Sequence, residues 1–357
     1  MVAAVALGVA SAPWVTHAAP TRQTNVSAVR LAQQIDHASD LGWSGEVRSL
    51  GSVQVPLSGS TFGGVARLLG ERTDLRVWWR NSDSWRIDRI RTTGESDLVR
   101  DGGLMVRWSY EDDQASFTPY SPIRFPDDVD IVPSAIAARL LSGARPQELS
   151  RLPAERVAGR SAAGLRLVPS DPRSTISHVD VWADEVSGLP LRVKVYAGPA
   201  GAVPIVSTEL VSLDLEKPSR AEASLRLSHS LHVSRGVALD AAAGANAFAP
   251  FVPPNSVAGL RRRGNAADFG AVGVYGRGPL AVLAIPLRES AFAGLRAQLR
   301  RSRTSRDTGD GVAMEVGPLS VLLQHARSGN FLLAGTVTPA TLETAAADLA
   351  AGVVRTP

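Results

Sequence analysis

The chain has 357 residues, 44% of them hydrophobic and 20% charged, which is the balance of a folded globular protein long enough for two ordinary domains. Its net charge is only +4, and 36 of its 38 basic residues are arginine, Lys194 and Lys217 being the two lysines. Cysteine is absent, which excludes disulfides, thiolate-held metals, thiol catalysis and lipidation of an N-terminal cysteine.

The first 21 residues carry no charged side chain and open on a twelve-residue apolar run that ends at Pro13. That run is short for a membrane span, which needs roughly 20 apolar residues, whereas the small residues of "THAAP" suit signal-peptidase cleavage near Ala18 or Ala19. Residues 1–19 are therefore predicted to be a signal peptide or an N-terminal anchor. Ala28, Leu31, Ala32, Ile35 and Ala38 then fall at helical spacing behind a capping Ser27.

From Trp43 to Tyr120 the pattern turns to period two, in the runs "WSGEVRSL", "DLRVWWR", "SWRIDRIR", "DLVRDGG" and "LMVRWSY", which predict successive antiparallel strands. On the last of these Leu104, Val106 and Trp108 share one face. "VPSAIAARLLSG" predicts a short helix with Ser134 as its cap and Ile136, Leu140 and Leu141 as its apolar stripe. Strands resume from Arg156 to about Leu215, and residues 219–250 are predicted to link to a second domain. Residues 251–357 read as a small α+β unit of about five strands and two helices, the second starting at Thr338 and Pro339. One of its apolar runs "AVLAIPL", "VLLQHA" and "FLLAGTV" is expected at a sheet edge, where an extended peptide adds as a strand. The basic residues Arg261, Arg262, Arg263, Arg300 and Arg301 are the candidate partner-binding set beside it.

Motifs for chemistry are absent. His229 and His232 of "HSLH" face opposite sides of a strand, "HVD" (His178, Asp180) lacks further ligands, and "PDDVD" (Asp127, Asp128, Asp130) reads as a solvated turn. "GRSAAGL" has the glycines of a phosphate loop but Leu165 where the lysine belongs, and "GRGPLA" fails the dinucleotide fingerprint. No catalytic residue, metal site or cofactor is predicted. What stands out is tryptophan: Trp43, Trp78, Trp79, Trp85, Trp108 and Trp182 lie in the strand-rich first half. Either a curved sheet closed by the two helices holds an acyl chain against Trp79, Trp85, Val106, Trp108 and Leu140, or these residues are simply the core.

"ERVAGRSAAGLRLVPSD", "HVDVWADEVSGLPLRVKVY" and the trailing "VSTELVSLDL" resemble the N-terminal domain of RseB/MucB-type regulators of the sigma-E envelope-stress response. Val157, Ala158, Gly159, Arg160, Pro169, Trp182, Asp184, Gly188, Leu189, Pro190 and Leu191 carry that resemblance. Upstream, "LRVWWRNSDSWRIDRI" and "LVRDGGLMVRWSY" are similar to LolA lipoprotein carriers. The likeness covers roughly residues 28 to 218. It implies an α+β protein: an N-terminal LolA-like antiparallel half-barrel covered by helices over 28–218, plus a small C-terminal α+β domain. It also implies an exported, non-enzymatic envelope-stress regulator in the periplasm or another extracytoplasmic compartment. Its expected partners are a lipid or acylated lipoprotein and an anti-sigma factor or other membrane-anchored protein, with no nucleic acid. The alternative is a lipid or lipoprotein carrier with no role in sigma factor control. Within the family the domain binds acyl chains in LolA, while RseB protects its anti-sigma factor from proteolysis.

Overall fold

A computed structural model describes residues 25–53, 69–91, 94–121, 124, 126–198, 202–225, 232–234, 251–264 and 269–355. The expected leader, the side chains of "HSLH" and most of the expected linker lie outside them.

A large antiparallel sheet dominates the chain. Its first meander comprises β1 (Trp43–Gly51), β2 (Arg72–Asn81), β3 (Ser84–Arg91), β4 (Gly94–Asp101), β5 (Leu104–Ser109) and β6 (Gln114–Pro119). The second runs through β7 (Leu149–Val157), β8 (Arg160–Leu167), β9 (His178–Asp184), β10 (Pro190–Tyr196) and β11 (Val206–Asp214). The two meet where β1 pairs with β11, with an irregularity at Glu46 and Val47. A three-residue strand, β12 (His232–Ser234), adds in parallel to β6 and makes the sheet twelve-stranded. The sheet is larger than the period-two runs alone predicted.

Two helices cover one face, α1 (Ala28–His37) and α2 (Pro133–Leu141). In α1, Ser27 caps by accepting from the Arg30 amide at 3.3 Å, and Leu31 and Ile35 are buried against Leu165, Val179, Val181 and Val193. The predicted Ser134 cap of α2 is not used: Pro133 already occupies the first turn, so the helix starts two residues earlier, with Val132 as its cap, and Ser134 is buried inside it. Ile136, Leu140 and Leu141 are half-buried on the α1 side of the core.

The resemblance motif has a structural meaning. Ala158 (φ 49°) and Gly159 (φ 74°) both take positive φ between β7 and β8, as a two-residue hairpin turn requires. Between β9 and β10, Asp184 Oδ1 accepts from the amides of Val186 and Ser187 at 3.2 and 2.8 Å, and Gly188 (φ 74°) turns the chain so that Leu189 and Leu191 enter the core. A Cβ on Gly188 would stand 2.7 Å from the Gln34 carbonyl oxygen of α1. Gly188→Ala therefore combines backbone strain with a clash and is expected to lower the unfolding free energy by about 1–3 kcal/mol, measured by urea titration.

After three two-residue strands, β13 (Phe251–Val252), β14 (Ser256–Val257) and β15 (Leu260–Arg261), a second sheet follows the order β16 (Gly273–Arg277), β17 (Leu280–Leu287), β21 (Gly329–Gly335), β20 (Leu319–Ala326), β19 (Gly311–Val316) and β18 (Ser305–Thr308). Helix α3 (Glu289–Arg300) buries Phe292 and Leu299 against Val312, Met314, Leu323 and Leu332 on one face. On the other face α4 (Pro339–Gly352), capped by Thr338 as predicted, buries Leu342, Ala345 and Leu349 against Val282, Leu322 and Leu333. Helices on both faces explain why the middles of β17, β20 and β21 are apolar on both sides. All three are interior strands, so the expectation of an edge among them is wrong; the sheet's edges are β16 and the polar "SRDT" strand β18.

The two sheets are tied together. The Arg277 guanidinium grips both oxygens of Glu148 at 2.6 and 2.8 Å and donates to the Gly143 carbonyl at 2.9 Å. Ser174 bridges Val337, the Thr175 amide donates to Thr336 O at 3.2 Å, and Thr175 Oγ1 donates to Pro318 O at 2.6 Å. Val53 packs among Phe292, Leu299 and Met314.

Candidate functional site

On the helix-covered face of the large sheet, Trp43, Trp79 and Trp85 form a stack, with centroids 6.3 and 5.8 Å apart and ring planes within 14°. Leu75, Val77, Ile87, Leu98 and Met105 surround it, all on the same side by alternation. Residues 127–132 lie on top. Val129, Ile131 and Val132 fill the hollow, and the Ile131 carbonyl accepts from the buried Thr208 hydroxyl at 2.6 Å.

The acidic residues of this segment are not solvated, contrary to the reading of "PDDVD" as an exposed turn. Asp127 pairs with Arg107 of β5, Asp128 with Arg89 of β3, and Asp130 with Arg124 and with Arg139 of α2. Three of these arginines project from the strands or helix that line the hollow, and their charge is what allows Asp128 and Asp130 to be buried. The neighbouring arginines hold the Asp130 carboxyl below the ordinary range although burial opposes them.

The opposite, convex face is laced with ion pairs: Arg166 with Asp180, Arg160 with Asp184, Arg192 with Glu155 and Glu209, and Arg48 with Asp74. Trp182 lies here, its indole N–H donating to Pro153 O at 3.2 Å. His178, on the same strand face as Asp180, stacks on Tyr196 at 4.1 Å. Trp78, Arg86 and Trp108 stand together with residues 221–225, and Trp78, Arg86, Trp108, Glu222 and Leu225 line a cleft of about 430 Å³. Arg86 is held over the Trp78 ring, 5.1 Å from its centroid, by a two-toothed pair with Asp88 at 2.6 and 2.7 Å and a third bond to Asp97 at 3.0 Å. Burial first, then the Asp88 charge, pushes the Asp97 carboxyl up to about 7.

The five predicted ligand-lining residues are thus not brought together. Trp79 and Trp85 belong to the filled concave core, Val106 and Trp108 point out of the convex face, and Leu140 sits on α2 near Gly278 of the second sheet. Period two fixes that Val106 and Trp108 share a face; which face depends on register against β4, a long-range fact. Trp78 was overlooked, although the adjacent pair Trp78 and Trp79 must place one indole on each side of a strand.

The predicted basic set also divides. Arg261 and Arg301 are exposed and Arg300 pairs with Asp307 at 2.8 Å. Arg262 holds the carbonyls of Pro253 and Gly270, and Arg263 donates to Gly276 O. Burial pushes the Arg263 guanidinium down, with Arg139 and Arg277 adding repulsion.

No family model matches the chain, and no curated protein does. Among solved structures, the Pseudomonas aeruginosa MucA/MucB complex is similar at 16% identity, covering 92% of this chain and 99% of that one, with a TM-score of 0.48. A crystal structure of MucB gives 15% identity over 91% and 97%, with a TM-score of 0.46. A LolA superfamily protein from Nitrosomonas europaea is 11% identical and covers 56% of this chain and 98% of that one, with a TM-score of 0.27. At these identities the likeness concerns the fold.

Proposed function

We propose that this chain is an exported, non-enzymatic regulator of the RseB/MucB type, which binds a membrane-anchored, anti-sigma-factor-like protein and a lipid or lipoprotein group. The observation that carries the reading is the double hairpin from Val157 to Leu191. Its signature residues are the ones that build the two turns and seat Leu189 and Leu191 under α1, so the resemblance rests on structure-forming positions rather than on scattered identities. In its solved complex MucB pairs with MucA, and a protein partner of that kind is proposed for this chain. Among the described residues no helix is long and apolar enough to cross a membrane.

The partner docks on the C-terminal sheet. The strand β18 offers an edge, flanked by the exposed Arg301 and by Arg300 and Arg306, which suits an acidic extended segment. The lipidic group meets the large sheet at the cleft beside Trp78 and Trp108, because Val129 and Ile131 already occupy the space against Trp79 and Trp85. Two measurements test this. Replacing Arg300, Arg301 and Arg306 by Ser is expected to weaken partner binding most at low salt, since the pairing is between exposed charges. Trp108→Ala is expected to abolish the response of a fluorescent acyl probe while Trp79→Phe leaves it intact. The reverse pattern moves the lipid to the concave face. A blank probe assay with successful partner pull-down leaves a protein-interaction module alone, and lipid binding without any partner selects the carrier.

A further inference from the structure

We propose that the convex face of the large sheet binds a divalent cation through Asp88, Glu95 and Asp97. Asp88 on β3 stands directly opposite Asp97 on β4, and Glu95 precedes Asp97 by two residues, so all three carboxylates project from the same face. One carboxylate oxygen from each lies within 4.8 Å of the other two. Arg86 bridges Asp88 and Asp97, but its single positive charge does not balance three carboxylates on one face of the sheet.

The second observation is at Asp97. Its side chain is fully buried; Arg86 takes Oδ2 at 3.0 Å, but Oδ1 is buried with no hydrogen-bond donor. A carboxylate oxygen removed from water and left without a partner is costly, and it is where a cation gains most. With all three carboxylates ionised, they and Arg86 sum to −2, which one divalent ion neutralises. An all-oxygen ligand set selects a hard ion, calcium or magnesium, over zinc or copper. Three protein ligands leave positions for water, and Glu95, half-exposed, is the side from which the ion enters.

The neighbouring indoles supply the assay. Trp108 faces Asp97 on the next strand and Trp78 lies under Arg86, so a terbium ion bound here is excited through tryptophan. Titrating the full-length chain with Tb³⁺ is expected to give saturable sensitised emission that calcium or magnesium displaces. Glu95→Gln and Asp97→Asn are each expected to weaken Tb³⁺ binding at least about tenfold. Glu95→Gln, at a half-exposed position, keeps the test valid if Asp97→Asn does not fold. Absence of saturable emission overturns the proposal. So does a folded Glu95→Gln protein, by circular dichroism, that binds Tb³⁺ like the wild type, or emission that neither calcium nor magnesium displaces.

Discussion

Trp85→Ala is expected to lower the unfolding free energy by about 3–5 kcal/mol, as large-to-small changes at a closed aromatic site do. Trp85 is only 2% exposed, lies parallel to Trp79 at 5.8 Å and is roofed by the 127–132 segment. The hole it leaves is hard to refill, because that roof is pinned by Asp128 to Arg89 and by Asp130 to Arg124 and Arg139. Urea unfolding followed by far-ultraviolet circular dichroism reads the change. A loss below about 1 kcal/mol would mean that residues 127–132 collapse onto the gap and are far less fixed than their ion pairs imply.

Removing the other half of a buried pair has an effect of similar size. Arg277→Ala leaves Glu148 buried without its counter-ion at the junction between the sheets, and loss of one partner in such a pair costs about 3–5 kcal/mol. Its effect depends on pH in a defined sense. The Arg277 bonds, aided by Ser170 and the Arg145 amide, hold the Glu148 carboxyl well below its ordinary range in the folded chain. The stabilisation is therefore complete above the carboxyl's unfolded value of about 4.5 and is lost as pH falls below it. The gap between wild type and Arg277→Ala is expected to be widest at neutral pH and to narrow towards pH 3. A constant gap over that range would show that Arg277 acts through its bond to Gly143 O and its packing rather than through Glu148.

The local structure was legible where short-range physics decides it. The alternation from Trp43 to Tyr120 and the Ser27 and Thr338 caps follow from residue type and spacing, and the structure has them. Whatever depends on pairing across the sheet was not legible. The side on which Trp108 emerges is set by its register against Asp97, and the pairing of Asp127, Asp128 and Asp130 by arginines 6 to 39 positions away in the chain. Likewise nothing within "AVLAIPL" or "VLLQHA" reveals that a helix covers each face, which is why an apolar run suggested an edge and turned out to be a centre.

The convex face has one more property that its composition decides. Its ion pairs use guanidinium groups as the cations, at Arg48, Arg86, Arg160, Arg166 and Arg192, while Lys194 rests over the Trp182 ring instead. Amine-directed reagents find no ε-amino groups on the chain other than those of Lys194 and Lys217, so a face crowded with cations is nearly blank to acylating chemistry.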